Sequence, residues 1–314
     1  RGSMYIIYGY YGFNNFGDEI FLRTFKQIFF DKDIIPTFGY QILKEDDRAI
    51  IGGGDLVLPY YFNSYYWDSQ VLNFRFGIYG VGVYTDYEWK EEVKNQYRKF
   101  FEKARYFTVR DSESAQNISD NFGIRPIVVP DVAFAYKYNF PEIRFRNYFC
   151  FSFRPSPELT EEQMVSLTKY AIERYKRVIF LPLHFATHGD CKVGNFEFHL
   201  ELSKKVNSNR IWIVPDSVDL DYRIAIIRNS VKYITLAMHG CLLSMRERTV
   251  FATPHRSTKF RNLLKLINYE PLNYKELLDF IKSDVKIDFN NVQNLEKQSE
   301  MELKKFKKIM EEDD

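Results

Sequence analysis

A glycine-containing loop follows the first predicted strand and precedes a predicted helix. It contains Gly12 and Gly17 and ends in Asp18 and Glu19. Glycine adopts backbone conformations that other residues avoid, and a helix N-terminus presents free N–H groups to a ligand. The two carboxylates would repel a phosphate and suit hydrogen bonds to sugar hydroxyls, or they simply complement the helix dipole. The spacing is not the GxGxxG fingerprint of dinucleotide-binding proteins.

Other polar side chains follow other predicted strands. Arg110 directly follows one strand, and Arg154 ends the first strand of the second half of the chain. A planar guanidinium can bind a carboxylate or a phosphate through two hydrogen bonds. His184 and His239 stand at strand ends of the second half, and an imidazole can donate a proton near neutral pH. The structural alternatives are a salt bridge to Asp111 or Glu113 for Arg110, and helix capping or core packing for His239.

Two further loops have residue types that suit ligands. Gly52, Gly53 and Gly54 precede Asp55 and let the backbone approach a ligand closely, although a triple glycine is permissive rather than diagnostic. A later loop with Asp216, Ser217 and Asp219 could face a nucleotide, and such residues also form ordinary turns.

Short apolar runs separated by helical patterns predict the elements that position these residues. The runs do not alternate with polar residues and are bounded by glycine or aspartate, which is typical of parallel strands covered on both faces. The predicted strands are Met4–Tyr10, Ala49–Ile51, Phe76–Val83, Tyr106–Val109, Pro126–Val129, Tyr148–Phe153, Arg177–Leu183, Ile211–Val214, Tyr233–Leu236 and Val250–Ala252. The pattern predicts an α/β fold with two doubly wound, Rossmann-like lobes facing a cleft.

The predicted domains are an N-terminal lobe over residues 4–140, a C-terminal lobe over 147–270 and a helical tail over 271–314. The linker Tyr136–Arg146 contains Pro141 and suits a hinge. Ligands of doubly wound sheets bind outside the carboxyl ends of the strands, so we expect the chemistry there. The apolar positions of the tail favour docking on the first lobe over contact with a partner.

Composition narrows the classes of function. The chain has 44 basic and 42 acidic residues and a net charge of +2, which gives no electrostatic case for nucleic acid. Cys150, Cys191 and Cys241 have unrelated spacings and are expected to be reduced thiols of a cytoplasmic protein. His184 and His188 lack a nearby third ligand, so we expect no metal site. No segment approaches the roughly 18 apolar residues of a membrane span.

An ordered set of motifs resembles the polysaccharide pyruvyl transferase family. The motifs are Asn15 with Gly17-Asp18-Glu19, Gly52-Gly53-Gly54, Thr108-Val109-Arg110-Asp111-Ser112, Pro130-Asp131-Val132-Ala133-Phe134, Phe151-Ser152-Phe153-Arg154, Met238-His239-Gly240 and Lys259-Phe260. Together they cover most of the chain from Tyr5 to Leu264 in the order of the family. The resemblance implies a fold similar to the GT-B glycosyltransferases, which agrees with the two predicted lobes.

The resemblance also implies transfer of the pyruvyl unit of phosphoenolpyruvate onto two hydroxyls of a sugar, forming a ketal. This reaction needs a proton for the methylene carbon of the donor, stabilisation of an oxocarbenium-like centre, and cations for the dianionic donor. On this interpretation His239 and Lys259 are catalytic, with His239 as the acid. Donor binding is assigned to Arg110, Arg154, Lys259, Gly53 and Gly54. Acceptor binding is assigned to Asn15, Asp18, Glu19, Asp131 and His184, with bracing of the hinge as the alternative for Asp131.

The expected partners are phosphoenolpyruvate and a saccharide, lipid-linked saccharide or sugar-nucleotide acceptor. We expect no cofactor, no metal, no nucleic acid and no integral membrane segment. The expected location is cytoplasmic; attachment to the inner face of the membrane and oligomer formation stay open.

One position departs from the family pattern, which usually has an arginine two positions before the motif histidine. This chain has Ala237 there, and Arg246, Arg248 or Arg256 could supply the missing cation. The departure leaves two alternatives open. One is a GT-B-type glycosyltransferase that uses a nucleotide sugar, and the other is a catalytically silent scaffold of the same fold.

Overall fold

The structure, a computed structural model, describes residues 4–37, 44–139, 142–184 and 194–312. Pro141, Cys191 and His188, named in the sequence predictions, lie outside these ranges. The chain divides into two compact units. Unit 1 contains the described residues up to Gly12, then Gly17–Lys137, and those from Asn294 onward; unit 2 contains Phe13–Phe16 and Tyr138–Gln293.

Each unit is built on one parallel sheet. The strands of unit 1 are β1 (Met4–Tyr8), β2 (Asp33–Thr37), β3 (Arg48–Val57), β4 (Arg75–Val83), β5 (Tyr106–Val109) and β6 (Ile127–Val128). Those of unit 2 are β7 (Tyr148–Ser152), β8 (Arg177–Phe180), β9 (Ile211–Ile213), β10 (Lys232–Thr235) and β11 (Phe251–Ala252). The order is β2-β1-β3-β4-β5-β6 in the first sheet and β11-β10-β7-β8-β9 in the second. The predicted α/β class with two parallel sheets is confirmed.

Helices connect and cover these strands. They are α1 (Phe16–Ile28), α2 (Glu91–Lys103), α3 (Ser112–Phe122), α4 (Glu161–Ile172), α5 (Phe196–Val206), α6 (Leu220–Asn229), α7 (Met238–Glu247), α8 (Thr258–Lys265), α9 (Tyr274–Lys282) and α10 (Val292–Glu311). Short 3-10 helices span Ser69–Asn73 and Val132–Ala135. Local sequence signals explain several helix ends. Thr160 and Gln163 form a capping box at the start of α4, and Gly123 ends α3 at φ 68°.

The core of unit 1 is rich in aromatic rings. Trp67 contacts Tyr97 and Phe100 with ring centroids 5.2 and 5.4 Å apart, in edge-to-face geometry. Such pairs add favourable electrostatics to the burial of a large apolar area. Aromatic residues make up 18% of the sequence, and many of them fill core positions of this unit.

The predicted tail over 271–314 is not a separate unit. Leu277 and Phe280 of α9 pack into the core of unit 2. By contrast, Phe306 of α10 stacks on Tyr79 of β4 in unit 1, with ring centroids 4.8 Å apart. Both helices are amphipathic and must bury one apolar face, and each does so against a different sheet. The predicted docking of the last helix on the first sheet agrees with this packing.

Candidate active-site residues in the two units

The second sheet reverses its strand order between β7 and β10. These neighbours pair in parallel, with β8 and β9 on one side and β11 on the other. Ligands of doubly wound sheets bind at such a switch point, outside the carboxyl ends of the strands. Arg154 follows β7, and His239 follows β10 in the first turn of α7. The topology therefore places two of the predicted site residues at the switch point of unit 2.

Arg154 contacts a histidine that the sequence analysis assigned to the acceptor. Its Nη1 lies 3.0 Å from Nε2 of His184. Arginine only donates hydrogen bonds, so Nε2 of His184 is the acceptor and the proton of the neutral ring sits on Nδ1. Burial, followed by the charges of Arg154 and Lys259, holds the pKa of His184 well below its usual value. His184 is thus a neutral side chain that orients Arg154.

Lys259 and His239 belong to the same group of side chains. Their charges, with that of Arg154, act on the pKa of His184. Both are half-buried and occupy the first turns of α8 and α7, where helix N-termini favour an anion. We call Arg154, His184, His239 and Lys259 the unit 2 cluster. Two permanent cations beside a neutral imidazole make this cluster suitable for an anionic ligand.

His255 borders the cluster and was not selected from the sequence. Its ring stacks on Phe260 with centroids 4.0 Å apart, and its Nδ1 accepts a hydrogen bond of 3.3 Å from the N–H of Ser257. Burial lowers the pKa of His255 to about 4, against the opposing charge of Glu158. The carboxylate of Glu158 accepts hydrogen bonds from the Ser156 hydroxyl at 2.6 Å and from the Arg256 N–H at 3.3 Å.

Buried residues of β7, β10 and α7 support the elements that carry the unit 2 cluster. Ser152, the serine of the serine-x-arginine motif, hydrogen-bonds to the carbonyl of Leu181 and to the hydroxyl of Tyr233. A Cβ on Gly240 would lie 2.4 Å from Oγ1 of Thr235 and 2.9 Å from the Tyr233 hydroxyl. The glycine of the histidine motif therefore lets α7 pack closely on β10.

His199 is a second histidine that the sequence analysis missed. It is fully buried, and its Nε2 accepts a hydrogen bond of 2.9 Å from the N–H of Phe153, next to Arg154. Its Nδ1 lies 2.7 Å from the carbonyl of Asn195 and donates to it. Burial lowers the pKa of His199 to about 4. His199 fixes the backbone that carries Arg154, and no local sequence signal marks that contact.

In unit 1, Arg110 lies among carboxylates. Its guanidinium is 5% exposed, pairs with Asp55, and lies 3.9 Å from Asp131. Burial alone would lower the pKa of Arg110, but these two carboxylates outweigh it and the pKa is raised. A Cβ on Gly82 would lie 2.7 Å from Nη2 of Arg110, so this glycine makes room for the pair. The sequence alternative of a salt bridge holds for Arg110, with partners other than those predicted.

Asp131 and Asp111 have local structural tasks. The carboxylate of Asp131 accepts a hydrogen bond of 2.8 Å from the N–H of Ala133 and begins the 3-10 helix at Val132–Ala135. Asp111 caps α3 by accepting from the N–H of Ser114 at 2.7 Å. The bracing alternative for Asp131 therefore has direct geometric support.

The glycine loop and the triple glycine meet within unit 1. Gly53 and Gly54 have φ of 73° and 87°, which favours glycine, and a Cβ on Gly54 would lie 3.0 Å from Oδ1 of Asp18. Glu19 accepts a hydrogen bond of 2.8 Å from the N–H of Gly12. The triple glycine thus lets β3 run close to α1, and the carboxylate of Asp18 lies beside its end.

Asn15 lies in the segment Phe13–Phe16, which belongs to unit 2. Within that unit, the adjacent Asn14 donates a hydrogen bond of 3.0 Å to the carbonyl of Asp216 and accepts one of 3.3 Å from Arg223. The N–H of Phe16 donates to the carbonyl of Leu183 at 3.3 Å. Asn15, itself half-buried, is held between these anchored neighbours.

Comparison with known families gives a match over most of the chain. Residues 15–252 match the family model for polysaccharide pyruvyl transferases. The chain belongs to this family. A comparison with curated proteins gives no similar sequence.

Solved structures of sugar-nucleotide enzymes have the same fold as this pyruvyl transferase family member. The UDP-GlcNAc 2-epimerase from Methanocaldococcus jannaschii has a TM-score of 0.62 at 12% identity, over 98% of this chain and 99% of that one. MnaA from S. aureus, solved with UDP, has a TM-score of 0.61 at 9% identity, over 96% and 91%. A UDP-glucosyltransferase from Polygonum tinctorium has a TM-score of 0.57 at 10% identity, over 100% and 99%. The predicted similarity to the GT-B fold is confirmed.

Ala237 is the position at which this family member departs from the family pattern. It is 4% exposed and directly precedes α7, and its N–H donates a hydrogen bond of 3.0 Å to Oγ1 of Thr235. The cation that the family pattern supplies there must come from elsewhere if it is needed.

Of the three arginines proposed as substitutes, one lies beside the unit 2 cluster. Arg246 lies in the last turn of α7, about 10 Å of helix rise away from His239, and Arg248 directly follows the helix, farther still. Arg256 directly follows His255, and its side chain is exposed. Arg256 is therefore the candidate that the fold brings to the cluster.

The loop considered for nucleotide binding has its polar groups engaged in the fold. Oδ1 of Asp216 accepts a hydrogen bond of 2.8 Å from the N–H of Phe196. Asp219 begins α6 and accepts one of 3.0 Å from the N–H of Asp221. The turn alternative accounts for both carboxylates.

Among the described residues, no group of three or more His, Cys, Asp or Glu side chains could hold a metal ion. Within the same ranges, none of the helices has both the length and the apolar content to span a membrane. Cys150 and Cys241 are free and buried, and burial raises the pKa of the Cys150 thiol.

Proposed function

We propose that this protein transfers the pyruvyl unit of phosphoenolpyruvate to a saccharide and binds the donor at the unit 2 cluster. The observation that carries the proposal is the grouping of Arg154 and Lys259 with a neutral His184 at the switch point of the second sheet. Family membership supports a transferase of this general kind. The proposal adds the donor and its site.

The charges of the cluster complement those of the donor. Phosphoenolpyruvate carries a carboxylate and a phosphate, and two separate cations can neutralise two separate anions. Arg154 is held by His184 with its guanidinium oriented, and Lys259 stands on the first turn of α8. Arg256, in the neighbouring loop, is placed to add a third positive charge where the family uses an arginine at the position of Ala237.

His239 is the proton donor in this proposal. In the reaction, a proton adds to the methylene carbon of the donor, a sugar hydroxyl bonds to C2, and the C2–O bond to phosphate breaks. The first hydroxyl gives up its proton to His239, which replaces the proton that His239 donated. A second hydroxyl then bonds to C2 and closes the ketal, and its proton leaves with the phosphate. The low pKa of His184 keeps that ring neutral at pH 7, so it is a poor acid. His239 therefore takes this role, and His184 positions Arg154.

Unit 1 provides the acceptor contacts in this proposal. Asp18 and Glu19 can accept hydrogen bonds from sugar hydroxyls. Asn15, which the sequence analysis also assigned to the acceptor, belongs to unit 2. Arg110 and Asp131 have other tasks, because their charges satisfy one another in a buried ion pair. We therefore remove Arg110 from the donor site and assign it, with Asp131, to the support of this part of the sheet. Because phosphoenolpyruvate is made in the cytoplasm, the proposal places the reaction there.

A glycosyltransferase that uses a nucleotide sugar is the second candidate. The specific support is the shared fold with MnaA solved with UDP and with a UDP-glucosyltransferase. A likeness at such low identity shows the fold alone, and fold does not determine function. This candidate predicts stabilisation by UDP and none by phosphoenolpyruvate.

Thermal unfolding with each ligand separates the two candidates. Phosphoenolpyruvate at a hundredfold above its dissociation constant stabilises the folded state by about 2.7 kcal/mol, which gives a clear rise in Tm. We expect this rise for the wild type and its loss in Lys259→Gln. Lys265→Gln is the matched control, because Lys265 is exposed at the far end of the same helix α8.

A rise with UDP but not with phosphoenolpyruvate would replace the proposal by the glycosyltransferase. No rise with either ligand would favour the silent scaffold. A rise with phosphoenolpyruvate that survives Lys259→Gln and Arg154→Gln would place the donor away from the unit 2 cluster.

A further inference from the structure

Unit 1 has an exposed group of tyrosines that the donor chemistry does not use. Tyr60 and Tyr87 are 40% and 52% exposed, and their ring centroids lie 4.7 Å apart. The half-buried Tyr84 lies 6.2 Å from Tyr87. We call Tyr60, Tyr84 and Tyr87 the tyrosine surface. Exposed aromatic side chains that touch one another mark a binding surface more often than scattered single ones do.

The fold holds this surface at the carboxyl ends of two neighbouring strands. β3 ends at Val57 and β4 at Val83, and the loops that follow them carry the three rings. The N–H of Tyr84 donates a hydrogen bond of 3.1 Å to the carbonyl of Val57. That of Lys90 donates one of 3.1 Å to the carbonyl of Pro59. The two loops are therefore tied together by their backbones.

A buried tyrosine fixes the first of these loops further. The hydroxyl of Tyr97 accepts a hydrogen bond of 3.1 Å from the N–H of Leu58 and donates one of 3.0 Å to the carbonyl of Tyr61. Tyr97 itself is fully buried against Trp67. Rings fixed in this way lose little conformational entropy when a ligand binds.

The tyrosine surface adjoins the part of unit 1 to which the proposed function assigns the acceptor. β3 passes Asp18 at Gly54, where an added Cβ would lie 3.0 Å from the Asp18 carboxylate, and its carboxyl-end loop carries Tyr60. Tyr84 directly follows the neighbouring strand β4. A ligand that reaches the carboxyl ends of β3 and β4 therefore meets these rings.

The surroundings select the chemistry of that ligand. The segment that follows Tyr84 exposes four carboxylates against one lysine: Asp86, Glu88, Glu91 and Glu92 against Lys90. Such a segment repels nucleic acid and the anionic head groups of lipids. Aromatic rings with polar hydroxyls suit a ligand that is apolar on one face and rich in hydroxyls at its edge. Sugar rings without charge have this character.

We infer that the tyrosine surface is a saccharide-binding site, at which uncharged sugar rings of the acceptor other than the one that reacts stack on Tyr60 and Tyr87. This inference rests on the proposed function. A chain of sugars binds through several rings, and stacking on Tyr60 and Tyr87 holds the part that lies outside the reacting centre.

Binding to an array of neutral and acidic oligosaccharides, each displayed at lengths from one to eight sugar rings, tests the inference. We expect the wild type to bind chains and not the matching single sugars. The double variant Tyr60→Ala with Tyr87→Ala should bind about tenfold or more weakly, because contact residues of this kind dominate binding. Tyr60→Phe with Tyr87→Phe keeps the rings and should remain within about threefold of the wild type.

Tyr222→Ala is the matched control, since Tyr222 is a tyrosine of unit 2 that is 42% exposed on α6. Failure of the wild type to bind any oligosaccharide would overturn the inference, as would equal binding by the double alanine variant. A dimer that the double variant dissociates in sedimentation, without any saccharide binding, would instead make the surface an interface between copies of the chain.

The rise in Tm with phosphoenolpyruvate tests the proposed function independently of saccharide binding by the tyrosine surface. A double alanine variant that loses saccharide binding but keeps its rise in Tm with phosphoenolpyruvate supports both. Saccharide binding through the tyrosines without any effect of phosphoenolpyruvate would leave a saccharide-binding surface and remove the pyruvyl donor. A rise in Tm with phosphoenolpyruvate, without any saccharide binding, would overturn the inference about the tyrosine surface and would leave the proposed donor site in place.

Discussion

The carboxyl ends of the two sheets carry opposite kinds of chemistry. In unit 1, the cation that the sequence analysis selected, Arg110, lies between Asp55 and Asp131, while Asp18 stands beside the triple glycine. In unit 2, Arg154 and Lys259 surround an imidazole that burial and charge keep neutral. The first edge offers carboxylates and tyrosines, and the second offers cations.

The comparison shows that two sheets of the same kind can carry different side chains at their carboxyl ends. Both sheets are parallel and both reverse their strand order next to the first strand of the unit. Fold alone would therefore predict two equivalent sites. The side chains at the strand ends decide between them, because an anionic donor needs the cationic edge and a polyhydroxylated acceptor suits the acidic one.

Replacement of the acid should have the largest effect. We expect His239→Gln to lower kcat about a thousandfold or more, because general acid catalysis contributes roughly 10²–10⁴-fold. The affinity for phosphoenolpyruvate should stay within about threefold, since the cations remain. Phosphate release in the presence of an oligosaccharide selected on the array measures this effect. A loss of less than about tenfold would show that His239 is not the acid.

Removal of the buried cation of unit 1 should affect stability rather than donor binding. Arg110→Met leaves Asp55 and Asp131 without their partner, and we expect a loss of about 3 kcal/mol in the free energy of unfolding of unit 1. Urea unfolding followed by tryptophan fluorescence in a Trp212→Phe background reports on Trp67 and Trp89, both of which lie in unit 1. Unchanged stability would show that the ion pair is not needed.

The stability of unit 2 should depend on acid pH more strongly than that of unit 1, because the five histidines of the sequence all lie between residues 184 and 255. The pKa of buried His199 is about 4, below the value near 6.5 of an unfolded histidine. The unfolded chain thus binds the proton first as pH falls, and unit 2 loses stability below about pH 6.5 until about pH 4.

For His199 alone we expect a loss of about 2 kcal/mol between pH 7 and pH 5. His199→Gln should be less stable at pH 7 but should have a flatter pH profile than the wild type. Unfolding curves at both pH values, recorded by circular dichroism, measure the difference. Parallel profiles for wild type and variant would contradict the assignment of His199 as a buried neutral ring.

Gly240→Ala should have the smallest of these effects on stability. The new Cβ would lie 2.4 Å from Oγ1 of Thr235, so α7 must shift away from β10 at a cost of about 1–2 kcal/mol. His239 moves with the helix, and kcat should fall more than the affinity for phosphoenolpyruvate. Gly123→Ala is a poor control because Gly123 has a φ of 68°. Ser203→Ala, on α5, avoids this strain, and its kcat should match the wild type.

Much of the fold was predictable from local patterns. The strand Tyr106–Val109 has the predicted bounds, because an unbroken apolar run defines it. Asp111 and Gly123 are residue types that mark the two ends of helix α3 in the sequence. β2 was missed, since Asp33–Thr37 is short, partly exposed and contains Pro36. The sheet against which α9 and α10 each pack could not be predicted, because those contacts join residues far apart in sequence.

The candidate site was predictable as a set of residue types but not as a set of contacts. The strand-end rule selected Arg154 and His239, and the structure places both at the switch point of unit 2. The partners of Arg110 are 55 and 21 positions away in sequence, so no local pattern identifies them. His199 and His255 were missed for the same reason, because burial and the tertiary contacts define their state.

Calorimetric titration with phosphoenolpyruvate tests most directly whether the donor binds at the carboxyl end of the unit 2 sheet and not at that of unit 1. The account predicts binding by the wild type, a loss of about tenfold or more in affinity for both Lys259→Gln and Arg154→Gln, and unchanged affinity for Arg110→Lys, which keeps the charge between Asp55 and Asp131. Weak binding by Arg110→Lys together with normal binding by Lys259→Gln and Arg154→Gln would contradict the account and move the donor to unit 1.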